Sequence, residues 1–255
     1  IKKVKKKKSI YLLFSELLKI RNFGKFDLVI DMQGLIKSAF ISRLISSPIT
    51  IGFDKSSSRE SVASFFYTKT FKSEYGDNVI VRNFQLIKFA IGFNYNNEDI
   101  NRKMAFLHPS NLFLIPLTPK NKKNIVLIPG ASHASKRYPA DKFAKLSLMF
   151  DANFLVIWGN QEEKGLANKI KELSPEVHIC DKLPISSLIS LIKQADLVIG
   201  SDTGPTHIAW ALNIPSITLF GPTPGYRNMF HTNINICIES DSKVNPLKID
   251  KKDYS

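Results

Sequence analysis

The chain has 255 residues, 44% hydrophobic and 23% charged, a globular composition long enough for one large domain or two ordinary ones. No run approaches the roughly 18 consecutive apolar residues of a membrane-spanning helix. The formal charge of +14 is unevenly shared: residues 1 to 120 hold 20 Lys and Arg against 9 Asp and Glu, and residues 121 to 255 hold 16 against 13. The basic first half suits a polyanionic partner, whether nucleic acid, an anionic membrane or a phosphorylated substrate, although lysines that merely keep a surface soluble read the same way.

Lys2, Lys3 and Lys5 to Lys8 are followed by Ile10, Leu13, Phe14, Leu17 and Leu18 at the spacing of an amphipathic helix, with Gly24 as its stop. Phe26 to Asp31 is short, apolar and β-branched, as a buried parallel strand is, and Gly34 precedes a helical stretch from Leu35 to about Ile45. A weaker strand near residues 49 to 53 and a helix over Asn78 to Ile91 complete the first half. Two strands make no full sheet and the chain opens without methionine, so the first domain is expected to be incomplete. Asn94 to Lys123 has little periodicity and contains Pro109, Pro116 and Pro119, which places an interdomain linker there and domains at residues 1–118 and 119–255.

Beyond the linker, apolar strands at Asn124–Pro129, Phe154–Trp158, Val177–Cys180, Leu197–Gly200 and Ser216–Phe220 alternate with four helical stretches. That alternation is the pattern of an α/β, doubly wound parallel sheet, whose ligands bind in the loops beyond the carboxyl ends of the strands. Cys180 and Cys237 are expected as free thiols, because two distant cysteines make neither a disulfide framework nor a zinc site.

Four loops and a helix start carry the candidate chemistry. Ser201-Asp202-Thr203-Gly204-Pro205-Thr206-His207 takes a buried strand into a helix whose first-turn amides and dipole suit a phosphate. A plain cap by Asp202 or Thr203 is the alternative. Pro129 to Pro139 joins Ser132 and Ser135 to the cations Lys136 and Arg137, which suits a diphosphate without being a Walker loop. Trp158 to Glu163 places carboxylates at a helix start, either as favourable dipole charge or as partners for ribose hydroxyls. Asp181 to Pro184 can border a base, and Phe220 to Pro224 can close the site or be a simple turn. There is no G-x-G-x-x-G, G-x-S-x-G or H-E-x-x-H pattern and no D-x-D pair for a metal-bound diphosphate, so cationic side chains and helix ends would neutralise the leaving group.

Asp31-Met32-Gln33-Gly34-Leu35 with Lys37, Ser58-Arg59-Glu60-Ser61, Ser135-Lys136-Arg137-Tyr138-Pro139, Gly159 with Glu163 and Ala167, Ser201 to His207, and Gly221-Pro222-Thr223 together resemble the bacterial lipopolysaccharide heptosyltransferase family over nearly the whole chain. The resemblance implies a GT-B fold, two Rossmann-like domains facing across a cleft, the second binding donor and the first acceptor. It implies inverting, metal-independent transfer of L-glycero-D-manno-heptose from ADP-heptose to the Kdo of Kdo-lipid A, with no cofactor. The implied protein is a cytoplasmic monomer, peripheral at the inner face of the cytoplasmic membrane, that binds no nucleic acid. Carried over by position, Ser132 and Lys136 serve the diphosphate, Glu163 the ribose, Leu183 the adenine through its backbone, Asp202 the heptose hydroxyls, and Thr203 and Gly204 the phosphates near His207. Lys37, Arg59 and Arg82 are the candidate acceptor contacts.

The family's catalytic aspartate belongs to a Gly-Asp loop that would precede Ile1, so no base is named, and a protein limited to these residues is expected to be inactive. Asp31 reads as structural. Two other functions compete: a nucleotide-sugar 2-epimerase of the same fold, and a non-catalytic polyanion-binding protein.

Overall fold

The computed structural model describes residues 24–110 and 121–241, together with Leu17, Lys19, Ile20 and Asn22. The N-terminal lysines, most of the expected opening helix and the expected boundary at residues 118 and 119 lie outside the described residues. Contacts divide the chain into two units between Asn97 and Glu98.

In the first unit, β1 (Leu28–Asp31), β2 (Ile49–Phe53) and β3 (Lys69–Phe71) form a parallel sheet in that order, with Leu28 opposite Ile49 and Ile51 opposite Lys69. Helix α1 (Ile36–Leu44) crosses from β1 to β2, and a 3-10 helix (Ser61–Phe66) leads into β3. Helix α2 (Val79–Ile91) lies where the sequence pattern places it, because its ends are chemically marked. The Asn78 side chain accepts from the Ile80 amide at 3.0 Å, and Gly92 at φ 71° returns its amide to Lys88. Ile51, Phe53 and Leu86 make one core of this sheet, and Ala39, Ala63 and Tyr67 make another.

Asp31 ends β1 at 4% exposure. Its Oδ2 accepts from the Tyr67 hydroxyl and the Ser38 hydroxyl, each at 2.7 Å, and its Oδ1 accepts from the Gln33 amide at 2.9 Å. Burial first, and then the bond to Asp31 and its charge, push the Tyr67 phenol far above its ordinary range, so it stays a donor. This is the structural role expected for Asp31.

The second unit begins with a short helix, α3 (Asn97–Asn101), shared with the boundary. Then come β4 (Lys123–Ile128), α4 (Ala140–Leu148), β5 (Ala152–Val156), α5 (Gln161–Leu173), β6 (His178–Ile179), α6 (Ile185–Lys193), β7 (Leu197–Ser201), α7 (Gly204–Ala211), β8 (Ser216–Phe220), α8 (Gly225–Asn228) and β9 (Asn235–Glu239). All six strands are parallel, in the order β6-β5-β4-β7-β8-β9. Numbered by appearance this is 3-2-1-4-5-6, the doubly wound arrangement. Successive residues of one strand feed opposite faces: Leu127, Phe143, Val156 and Ile170 pack on one side of the sheet, and Val126, Leu155, Leu191 and Val198 on the other. Burial on both faces is why these strands read as continuous apolar runs.

Three features depart from the sequence reading, the first being the short strand β3, which joins the two strands expected in the first half. Strand β9, absent from the five expected strands, is fixed by Asn235, 2% exposed, whose amide donates to the Ile214 carbonyl and the Ser216 hydroxyl at 2.9 Å each. The stretch read as the start of a linker is docked on the second unit. The Phe106 ring meets Trp210 at 6.0 Å, Lys103 Nζ lies 4.4 Å over the Trp210 ring, and the Ser110 amide donates to the Ser186 hydroxyl at 2.9 Å. Apolar and cation–π contacts move the division upstream of the prolines.

A Cβ on buried Gly52 would lie 2.3 Å from the Tyr67 ring. Gly52→Ala is therefore expected to destabilise the first unit by about 1–3 kcal/mol through overpacking, read as a lower urea midpoint with an unchanged slope.

Candidate functional site

In a 3-2-1-4-5-6 sheet the crossovers from the two central strands leave in opposite directions, opening a crevice at their carboxyl ends. Here those strands are β4 and β7, paired from Ile125 with Leu197 to Ile128 with Gly200. The loop after β4 contains Ser132, a 3-10 turn (Ala134–Lys136) and Arg137, and the loop after β7 contains Asp202 and Thr203.

The two loops meet through one ion pair. Lys136 Nζ donates to Asp202 Oδ2 at 2.7 Å, with side-chain exposures of 18% and 11%. His207 Nε2, from α7, lies 3.2 Å from Asp202 Oδ1, and the Thr223 hydroxyl, from the turn after β8, donates to Oδ2 at 3.4 Å. Burial alone would raise the Asp202 pKa, but the hydrogen bonds from His207 and Lys136 and the nearby charge outweigh it and hold the carboxyl below its ordinary value. Cation, imidazole and carboxylate thus converge where α7 begins.

Thr203 is the N-cap of α7, extended at φ −154° and ψ 162°, and its side chain makes no capping bond. Pro205 follows in the first turn, and the Thr203 carbonyl accepts from the Thr206 and His207 amides. The side-chain cap weighed from sequence is therefore not formed, and the amide end of α7 is left uncovered by Thr203.

Glu163 sits in the first turn of α5, where Asn160 caps the helix. Its carboxylate accepts from the Gly159 amide at 2.6 Å and the Asn160 side-chain amide at 2.9 Å, while its own amide donates to the Asn160 side-chain oxygen at 3.0 Å. It also presses on the loop after β4: a Cβ on Gly130 would lie 2.5 Å from Glu163 Cδ. Glu163 therefore combines the dipole role with a position beside the Lys136 loop. Ser132 is exposed at the rim, and half-buried Leu183 packs under the loop after β6.

Two contacts were invisible in the sequence. Arg137, read with Lys136 as a diphosphate cation, is committed elsewhere. Its NH1 and NH2 grip both oxygens of Glu162, NH2 to Oε2 at 3.0 Å, while NH2 also donates to the Ala131 carbonyl at 3.2 Å. Trp158 Nε1 donates to the Cys180 carbonyl at 2.7 Å and joins the loops after β5 and β6. Cys180 is buried and free, and burial pushes its thiol up to about 12; Cys237 is free and half-buried. A separate cavity of about 580 Å³ lies among Ser147, Met149, Asn153 and His178, at the amino ends of β5 and β6, away from these loops.

In the first unit Lys37 and Arg59 are both exposed. Their segments are tied together by the Ile36 amide donating to Glu60 Oε2 at 2.7 Å and the Glu60 amide donating to the Gly34 carbonyl at 3.1 Å. Arg82 is a correction. It is 5% exposed, donates to the Ser57 carbonyl at 2.5 Å, and lies 4.5 Å over the Phe53 ring and 5.1 Å over the Tyr75 ring. An enclosed guanidinium bound to backbone and rings serves packing and does not meet a bulky acceptor.

Residues 18–250 match the family model of glycosyltransferase family 9 (heptosyltransferase). The chain belongs to this family. It is 38% identical to lipopolysaccharide heptosyltransferase 1 of Campylobacter coli, over 91% of this chain and 72% of that protein. It is 26% identical to the namesake of Escherichia coli K12, over 88% of this chain and 69% of that protein. Among solved structures, the E. coli heptosyltransferase WaaC with ADP superposes with a TM-score of 0.73 at 23% identity, covering 89% of this chain and 71% of that one. The fold class is the α/β, Rossmann-like GT-B class expected from the sequence. Membership of glycosyltransferase family 9 sets aside both the 2-epimerase and the non-catalytic polyanion binder.

The depressed Asp202 pKa has a signed consequence. A carboxyl held lower in the folded than in the unfolded state contributes stability above its unfolded value and loses it as pH falls through the folded one. The wild type is therefore expected to lose urea stability as pH falls below about 4, the ordinary pKa of an aspartate. Asp202→Asn, less stable at neutral pH, should lack that portion of the acid limb.

Proposed function

We propose that the protein transfers L-glycero-D-manno-heptose from ADP-heptose to the Kdo of Kdo-lipid A, with inversion at the anomeric carbon and without a metal ion. The convergence of Lys136 and His207 on Asp202 at the amide end of α7 carries this reading. In such a displacement the sugar becomes oxocarbenium-like while the departing ADP gains negative charge, so fixed donors aimed at the diphosphate lower the barrier. Lys136 and the Thr203 and Gly204 amides supply those donors, with Ser132 at the rim.

Asp202 takes the heptose hydroxyls and, by holding Lys136 and His207, sets where the cation stands before the donor arrives. Glu163 meets the ribose from its place beside Gly130, and the Leu183 backbone borders the adenine. Lys37 and Arg59 meet the carboxylate and phosphate groups of the acceptor, which fits the basic first half. That acceptor is lipid-linked, so the protein works as a peripheral protein at the inner face of the cytoplasmic membrane. The acceptor hydroxyl requires a base. Asp31 is not assigned that role, because Tyr67, Ser38 and the Gln33 amide already enclose its carboxylate.

The test is a transfer assay with the complete protein, ADP-heptose and Kdo-lipid A. Lys136→Ala and Asp202→Ala should each lower kcat/KM by roughly 10²–10³-fold, the scale for removing a group that stabilises transition-state charge. Lys136→Ala should also weaken ADP binding in calorimetry. Turnover untouched by both substitutions sinks the assignment.

A further inference from the structure

The first unit carries an exposed apolar face that its own core does not use. On α1, Ala39 and Ser42 are buried, whereas Ile36 and Phe40, one turn apart, are 40% and 43% exposed. The neighbouring 3-10 helix adds Val62 at 49% and Phe65 at 78%. The two elements are fastened side by side: Phe40 meets Phe66 edge to face at 6.2 Å, and the Ile36 amide donates to Glu60 at 2.7 Å. Grouped apolar side chains of this size on a surface mark a place of interaction.

The surrounding charge identifies the partner. Residues 32–44 contain Lys37 and Arg43 and no acidic residue, and the turn after β2 adds Lys55 and Arg59; all four cations are exposed. Two carboxylates lie nearby and keep their charge, Asp54 bonded by Ser56 and the Ser57 amide and Glu60 by the Ile36 amide, so the four cations outnumber them by two. Apolar side chains rimmed by cations on short helices match the boundary of an anionic bilayer, where the apolar groups enter the acyl region and the cations meet lipid phosphates. A second copy fits less well, because a two-fold pairing would set one net-positive face against another.

We propose that α1 and the 3-10 helix form the face that docks the protein on an anionic lipid surface, through Ile36, Phe40, Val62 and Phe65 with Arg43 and Lys55. This deepens, and rests on, the reading of a lipid-linked acceptor: docking through this face holds Lys37 and Arg59 at the depth of the lipid headgroups.

The experiment is co-sedimentation of the full-length protein with vesicles of phosphatidylethanolamine and phosphatidylglycerol, and with vesicles of phosphatidylcholine alone. The wild type should pellet with the anionic vesicles and not with the neutral ones. Phe40→Ser/Phe65→Ser should partition about tenfold more weakly, since interfacial binding scales with buried apolar area. Phe65→Ser alone, at the most exposed of these positions, should show part of that loss with an unchanged melting temperature. The comparison is repeated near 1 M salt, where the screening length falls to about 3 Å and attraction through Lys2 to Lys8 is suppressed; the wild type should still bind better than the double variant. Transfer to a water-soluble, acyl-free Kdo acceptor should be the same for wild type and variants. That assay reads the donor site independently, so either proposal can fail alone. The docking face is overturned if the double variant partitions like the wild type, if neutral and anionic vesicles bind equally, or if the substitutions abolish self-association while vesicle binding stays unchanged.

Discussion

The second unit's site depends on a carboxylate withdrawn from water. Asp202, at 11% side-chain exposure, would be strongly unfavourable without compensation. Its compensating partners come from three different connections: Lys136 after β4, His207 in α7 and Thr223 after β8. One buried charge therefore fixes the positions of three loops at the carboxyl end of the sheet. The same burial keeps Lys136 largely out of bulk solvent, which strengthens its interaction with any anion that enters.

Asp31 is an instructive counterpart. Each carboxylate lies at or just beyond the end of a parallel strand, yet Asp31 is satisfied by hydroxyls and an amide, and Asp202 by a lysine and a histidine. Neutral donors held by the protein leave nothing for a ligand to exchange, and they bind β1, α1 and the Tyr67 segment into one piece. A cation paired with a carboxylate can redirect part of its field toward an arriving phosphate without being left unpaired. The types of partner, more than the depth of burial, separate the aspartate that only ties the first unit together from the one proposed to serve the donor.

The same physics decides what could be read in advance. Strands β4, β5, β7 and β8 are legible because both faces are buried, so they appear as apolar runs bounded by polar loops. Strand β3 is only Lys69-Thr70-Phe71 with two exposed residues, and β9 has just three apolar residues, Ile236 to Ile238, two of them exposed, and is held by a buried asparagine, so neither shows the long apolar run of a strand buried on both faces. Lys136 and Asp202 were each visible from their loops, but their direct pairing spans 66 residues of sequence and exists only once β4 and β7 are neighbours. Arg82 misled because a charge on a helix gives no sign of the Phe53 and Tyr75 rings that enclose it. The division between units was misplaced for a like reason, since Lys103 and Phe106 dock on Trp210 through contacts that local composition does not carry.

Lys136 and Arg137 show how adjacent cations can divide their labour. The guanidinium is a rigid fork, suited to gripping both oxygens of a carboxylate while sparing an N–H for a carbonyl, and Arg137 does both, to Glu162 and Ala131. Because Glu162 lies one residue from Glu163 at the start of α5, that grip ties the Lys136 loop to the helix end that carries the proposed ribose contact. An ammonium on a flexible stem is the opposite tool, a point charge that can pivot between acceptors. Arg137 thus holds the loop to the start of α5, while Lys136 presents its ammonium to Asp202 beside the start of α7.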